Sequence, residues 1–244
     1  MEIVAVFLLG LASGMVSAIS TGGGLISVPG LILLGSSPVT AIATTRLSAL
    51  SSGLTSSYRY YKKHKIIWRY TPYLIIVSLA AGLIGPKLLF KIDEQALEPL
   101  IGLILLLLVP TLLHDKKLGL VSRQKSRSKK LHGLFVLFVI MIYGTMIGAG
   151  GGIFLIYALM YFFGTNVTQA TATGTVMWLA GTLVALVTYI NQGAVDFSIG
   201  IPLLIGAAIG GSIGAKIALK KGTAWVKIVL IGVITAASIK LLLF

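Results

Sequence analysis

The sequence predicts an all-α polytopic membrane protein built from two internal repeats, and three observations carry that expectation. Hydrophobic residue types fill 57% of the 244 positions and charged types only 11%, where an average soluble domain is about 25% charged. Several apolar runs reach about 20 residues, enough for a helix to cross a hydrocarbon core of ~30 Å. The second half also repeats the punctuation of the first at a nearly constant offset. A mean hydropathy of +1.00 excludes a disordered chain and a nucleic-acid-binding globule. Absence of cysteine removes disulfides and thiolate metal sites from consideration.

The apolar segments run over 3–19, 25–34, 39–57, 70–90 and 97–113, then over 134–147, 153–163, 167–190, 197–219 and 226–244. They are apolar on every side, as buried or lipid-facing helices are. They lack the period-two alternation of barrel strands. Met1-Glu2-Ile3 offers no basic leader and no small-residue cleavage site follows, so 3–19 is expected as a retained span.

A shift of about 128 lays Gly22-Gly23-Gly24 on Gly150-Gly151-Gly152, and a shift of 129 lays Ala41, Ala43 and Thr44 on Ala170, Ala172 and Thr173. The same shift carries Tyr60 to Tyr189, Gly82 to Gly211, Gly85 to Gly214 and Lys87 to Lys216. The expected units are a first repeat over 1–113, a basic cytoplasmic linker over 114–132 and a second repeat over 133–244. Duplication of this kind places a transporter's substrate between the halves.

Lysine and arginine number 20 against 6 acidic residues, a formal charge of +14. Gathered in short loops between apolar runs, this charge reports topology, because cytoplasmic loops retain Lys and Arg. The loop with Arg59, Lys62, Lys63, Lys65 and Arg69 and the linker with Lys116 to Lys130 are two spans apart and should both be cytoplasmic. The turn with Asp93, Glu94 and Glu98 should lie outside. In the second half the signs exchange: the turn 191–196 has no basic residue, and the region with Lys216, Lys220, Lys221 and Lys227 is basic. Equivalent loops thus prefer opposite sides, and the repeats are expected to be inverted. Each would open with a glycine-interrupted re-entrant or hairpin pair, followed by three spans. Eight spans with parallel repeats are the alternative.

Ser20-Thr21-Gly22-Gly23-Gly24 and Gly148-Ala149-Gly150-Gly151-Gly152 interrupt long apolar stretches. Consecutive glycines let the backbone leave the helix. The groups this frees inside a bilayer must find protein, water or ligand. The helix beginning after each break starts with unpaired N–H groups and a partial positive charge, so two such starts together suit an anion. Close helix packing through small residues is the competing reading. Ser37 should cap the next helix with Pro38 at its first position, and Asn166 should cap the counterpart. Thr44, Ser48, Ser51 and Thr55 fall on one helical face, where they either line a path or bond their own carbonyls.

Arg46 lies roughly 12 Å into its helix, from about eight residues at ~1.5 Å each. A guanidinium at that depth is expensive and marks a functional site. Its fork suits oxyanions. It could instead snorkel or hold broken backbone carbonyls. Its counterpart is Thr175, so the halves are not chemically equivalent. None of the six carboxylates falls mid-span, and His64, His114 and His132 sit in loops or at helix edges. A proton relay, a metal-cation site and any cofactor therefore lack residues to carry them, and no nucleotide-binding or hydrolytic motif appears.

Gly10-Leu11-Ala12-Ser13-Gly14 through the first triple glycine, Val28-Pro29, Gly35 and Ala41-Ile42-Ala43-Thr44-Thr45 resemble the first repeat of the TauE/SafE-type permeases. Gly148 to Gly152 followed by Ala170-Thr171-Ala172-Thr173-Gly174 resembles the second. Pro29 has Tyr157 as its counterpart, and Ser20-Thr21 precede the first glycines where the family commonly has glycine. The resemblance implies export of sulfite or an organosulfonate across the cell membrane. The sequence therefore predicts a multi-pass secondary anion transporter working by alternating access, not an enzyme. The expected partners are a small anion and the bilayer, with no nucleic acid. The substrate-binding candidates are Gly22, Gly23, Gly24, Thr44, Thr45, Arg46, Gly150, Gly151, Gly152, Thr173 and Thr175. The alternatives are an anion channel, an importer of another small solute, and a membrane scaffold or assembly factor that transports nothing.

Overall fold

The computed structural model describes residues 3–93, 95–97, 99, 103 and 126–221. Most of the expected span at 97–113, the expected span at 226–244 and most of the linker lie outside the described residues, as do Glu94, Glu98 and Lys227. Eight helices are described: α1 (Ile3–Ser20), α2 (Gly24–Leu33), α3 (Pro38–Lys62), α4 (Thr71–Leu89), α5 (Arg127–Met146), α6 (Gly151–Phe163), α7 (Val167–Asn191) and α8 (Phe197–Lys221). Of these, α1, α4, α5, α7 and α8 are long and apolar enough to cross a membrane. α2, with ten residues, rises only about 15 Å, half a hydrocarbon core. α3 is too polar to count as a span by composition, and it is packed among α1, α2, α7 and α8. The protein is thus an all-helical, multi-pass membrane protein.

Local sequence explains the helix starts. The Ser37 hydroxyl accepts from Thr40 N at 3.4 Å, with Pro38 at the first position. Asn166 forms a reciprocal pair with Gln169, at 2.9 Å and 3.2 Å, which satisfies two donors that a helix start leaves free. Ser126 caps α5, so that helix begins inside the basic stretch that the sequence assigns to the linker. The Asp196 carboxylate accepts from Ser198 Oγ at 2.6 Å and Ser198 N at 2.8 Å. The hydroxyl bond holds its carboxyl below the usual range.

Hydrogen bonds come in matched pairs, the threonine pair joining the halves and the tyrosine pair lying within each of them. Thr44 Oγ1 accepts from Asp196 N at 3.0 Å, and Thr173 Oγ1 accepts from Ile67 N at 3.1 Å. Tyr60 donates to the Ala18 carbonyl at 2.5 Å, and Tyr189 donates to the Met146 carbonyl at 2.9 Å. A shift of 128 or 129 positions turns one member of each pair into the other. These bonds have a clear physical task. Helices that stop at a glycine break leave carbonyls without donors, and the tyrosines and Arg46 supply them.

The same contacts set helix directions. Thr44 meets Asp196, Ser51 meets Leu204 and Arg59 meets Ser212, so α3 and α8 run the same way. Gly10 packs on Leu203, Gly14 on Ala207 and Gly214 on Met15, so α1 runs with them. Lys130 stacks on Tyr70, and Thr145 Oγ1 donates to the Ala81 carbonyl, so α4 and α5 run together. Thr173 meets Ile67, and Ser78 donates to the Met177 carbonyl, which aligns α7 with them. The start of α3 lies at the α7–α8 turn, while the start of α7 lies at the α3–α4 turn.

Candidate anion site

The two glycine breaks lie against each other. A Cβ on Gly24 would run into the Gly148 carbonyl, and one on Gly152 would run into the Thr21 carbonyl. Only hydrogen side chains allow that approach. The Thr21 hydroxyl donates to the Gly152 carbonyl at 2.8 Å, pinning one break to the other. Thr21 itself holds φ at 51°, a conformation that a β-branched residue rarely adopts.

Beside this crossing is a cavity of about 20 Å³ lined by Ser13, Ser17, Thr21, Gly23, Gly24, Ser27, Thr45, Arg46, Ser48, Ala49, Ser52, Gly148 and Trp178. Among the described residues that line it, Arg46 brings the one formal charge, and none is acidic or a histidine. Arg46 is 2% exposed. Its Nε donates to the Ile42 carbonyl at 3.3 Å and its Nη1 to the Gly144 carbonyl at 3.0 Å. Its Nη2 is buried with no hydrogen-bond partner and points at Gly148, where a Cβ would collide with it. Gly148 holds φ at 85°, so the site needs glycine there twice over. Arg46 therefore holds a carbonyl in the last turn of α5, while its Nη2 has no partner beside the cavity, and its burial is at odds with snorkelling.

The cavity hydroxyls mostly donate to carbonyls of their own helix: Ser13 to Gly10, Ser27 to Gly23, Thr45 to Ile42, Ser48 to Thr45 and Ser52 to Ser48. A hydroxyl hydrogen turns freely about its C–O bond, so each can trade that local bond for one to an anion. A buried cation with an unmet donor, surrounded by rotatable hydroxyls and no carboxylate, suits a negative ligand.

Of the residues predicted for the site, Gly23, Gly24, Thr45 and Arg46 line the cavity and the others do not. Thr44 is turned to the start of α8 and Thr173 to the residues before α4. Thr175 donates to the Thr171 carbonyl at 2.7 Å. Gly22 packs near Leu25 and Ile153, and Gly151 packs on Gly144 and Trp178. Gly150 begins α6 at φ 81°, and Gly152 serves the crossing of the breaks. Sequence reasoning missed Ser13, Ser17, Ser27, Ser52 and Trp178. The signal for the first two was a polar step of four residues in a span otherwise apolar.

The second half does not copy this cavity. Positions equivalent to Ser13, Ser27, Ser48 and Ala49 hold Met141, Leu155, Met177 and Trp178, which pack in one buried apolar cluster. Among the described residues this polar pocket is built almost wholly by the first half and closed by Gly148 and Trp178 from the second.

Comparison with known proteins agrees with a membrane transporter. The chain is 27% identical over 216 residues to a "Probable membrane transporter protein" of Haemophilus influenzae, covering 88% of this chain and 85% of that one. It is 24% identical over 240 residues to the "Probable membrane transporter protein YfcA" of Escherichia coli K12, covering 97% and 88%. It is 25% identical to the "Probable membrane transporter protein YunE" of Bacillus subtilis, covering 91% of each. No solved structure matches. The family model described as "Sulfite exporter TauE/SafE" matches residues 6–241. With that match over nearly its whole length, the chain belongs to the TauE/SafE family of membrane transporters.

Proposed function

We propose that the chain is a secondary transporter that moves a small anion, sulfite or an organosulfonate, out of the cell by alternating access between inverted repeats. The observation that carries the reading is Arg46: a buried guanidinium with a free Nη2 in a cavity whose described lining holds no acid. The family description, sulfite exporter, supports the choice of anion. Inversion is supported by the helix directions, since α3 and α7 are counterparts and run oppositely, as do α4 and α8. A cavity of about 20 Å³ has room for about one water. An anion with several oxygens therefore enters only as α1, α2 and α3 separate from Gly148 and Trp178, and that separation is the alternating step. The cell's negative interior drives export at about 2.3 kcal/mol per charge per 100 mV, so the cycle needs no proton relay in the protein.

Two experiments test this. Purified protein in liposomes loaded with sulfite is expected to give saturable efflux that an inside-negative potential accelerates. Flux that stays linear with concentration would instead mark a channel, and no flux of sulfite or sulfonate would remove the transport reading. Topology is checked with single cysteines in this cysteine-free chain. Gln192→Cys is expected to react with an impermeant thiol reagent from outside the cell, and Lys63→Cys is expected to be protected. Reaction of both from one side would establish parallel repeats.

A further inference from the structure

At the end of the bundle where α4 and α5 begin, cations lie over aromatic rings, and among the described residues none of them is paired with an acid. Arg69 lies over the Tyr70 ring at 5.9 Å from its centroid and Lys130 at 4.9 Å, while Lys129 lies over Tyr161 at 5.3 Å. Tyr70 is fixed from the other half by an edge contact with Phe163 at 5.4 Å. A ring positions a cation but brings no counter-charge, so two like charges gather at one ring with no carboxylate among the described residues paired to them. The carboxylates among the described residues are Asp93 and Asp196, and both lie at the opposite end. Asp93 follows the far end of α4, and Asp196 sits at the start of α3. The cations also stand at the head of an apolar surface. Leu131 and Phe135, four residues apart on α5, are each 69% exposed, and Tyr73 and Ile76 are exposed on α4. A partner with a negative head and long apolar tails meets both parts of this surface, which a soluble phosphate does not.

We propose that Arg69 and Lys130, held against Tyr70, bind the phosphate of an anionic phospholipid whose acyl chains lie along α4 and α5. The site joins the two halves, because Arg69 comes from the α3–α4 turn and Lys130 from α5. Basic residues between membrane helices bind anionic headgroups in this way. The proposal rests on the membrane placement of the chain and not on its transported substrate.

The test is native mass spectrometry of the purified protein with phosphatidylglycerol and with phosphatidylcholine of the same acyl chains. The wild-type chain is expected to retain phosphatidylglycerol preferentially. Arg69→Gln/Lys130→Gln is expected to lose affinity for it by on the order of tenfold or more, leaving phosphatidylcholine binding unchanged. Lys216→Gln/Lys220→Gln, which removes the same charge from exposed positions on α8, is expected to keep the preference. Undiminished phosphatidylglycerol binding in the first pair would overturn the site. An equal loss in the second pair would replace it with diffuse attraction to net charge. Displacement of the lipid by equimolar glycerol 3-phosphate would make the ligand a soluble phosphate and also overturn it.

Discussion

Arg46→Gln is expected to lower anion transport on the order of a hundredfold, the loss of a charged, partly desolvated hydrogen bond to the substrate. Arg46→Lys keeps the charge but offers no second nitrogen while it holds the Gly144 carbonyl, so it should be intermediate. Stability should move differently. A buried charge without a counter-ion is costly, so Arg46→Gln protein without anion should melt no lower than wild type. This pattern separates two roles. If Arg46 merely ties α3 to α5, both variants melt lower and the folded fraction transports normally. Thermal melting in detergent beside flux in liposomes reads both.

Gly152→Ala is expected to be the most damaging small substitution in the chain. Its Cβ would fall on the Thr21 backbone, where no flexible side chain can yield. Overpacking of this kind costs about 3 kcal/mol, and the displaced strand of backbone carries Thr21 and Gly23, both lining the cavity. Folded yield and flux per folded molecule should both fall. Gly193→Ala makes the informative comparison. Gly193 has φ 68° and open space around its Cβ position, so its alanine variant should cost only about 1 kcal/mol and leave transport intact. Equal melting of Gly152→Ala and wild type would show that the two breaks are not pressed together.

Much of this structure was legible in the sequence, for physical reasons that differ from residue to residue. Length and apolarity disclosed the five described spans α1, α4, α5, α7 and α8, but not α3, whose hydroxyls make it too polar to count as one. Ser37-Pro38 and Asn166 disclosed the helix starts, because capping depends on a few adjacent residues. The burial of Arg46 was legible because the charge lies about two turns inside an apolar stretch. The partition of α3 was not. Thr44 and Thr45 are neighbours in sequence but about 100° apart on the helix, and only the packing of α8 decides which one meets the cavity. The stripe expected along α3 divides for that reason: Ser48 lines the cavity, while Ser51 donates to the Leu204 carbonyl at 2.8 Å. The repeated threonines offered the opposite lesson. Thr44 and Thr173 match across the halves because each closes the same reciprocal contact, so their repetition reports the scaffold. The cavity lies where the halves differ, at Arg46 against Thr175 and at Ser13, Ser27 and Ser48 against Met141, Leu155 and Met177. Of the two readings of the glycines, close packing is seen directly, and anion binding remains the proposal. Gly24 and Gly152 allow close packing, while Gly23, Gly24 and Gly148 also line the pocket that the packing creates.

The central claim is that Arg46 and the crossing of the glycine breaks hold the transported anion. The most direct test is an experimental structure determined in selenite, a heavier analogue of sulfite with strong anomalous scattering. The account predicts an anomalous peak within hydrogen-bond reach of Arg46 Nη2, between the Gly23-Gly24 turn and Gly148, absent from Arg46→Gln protein. Selenite that the protein transports but that binds elsewhere, or that keeps the same position in Arg46→Gln, would contradict it.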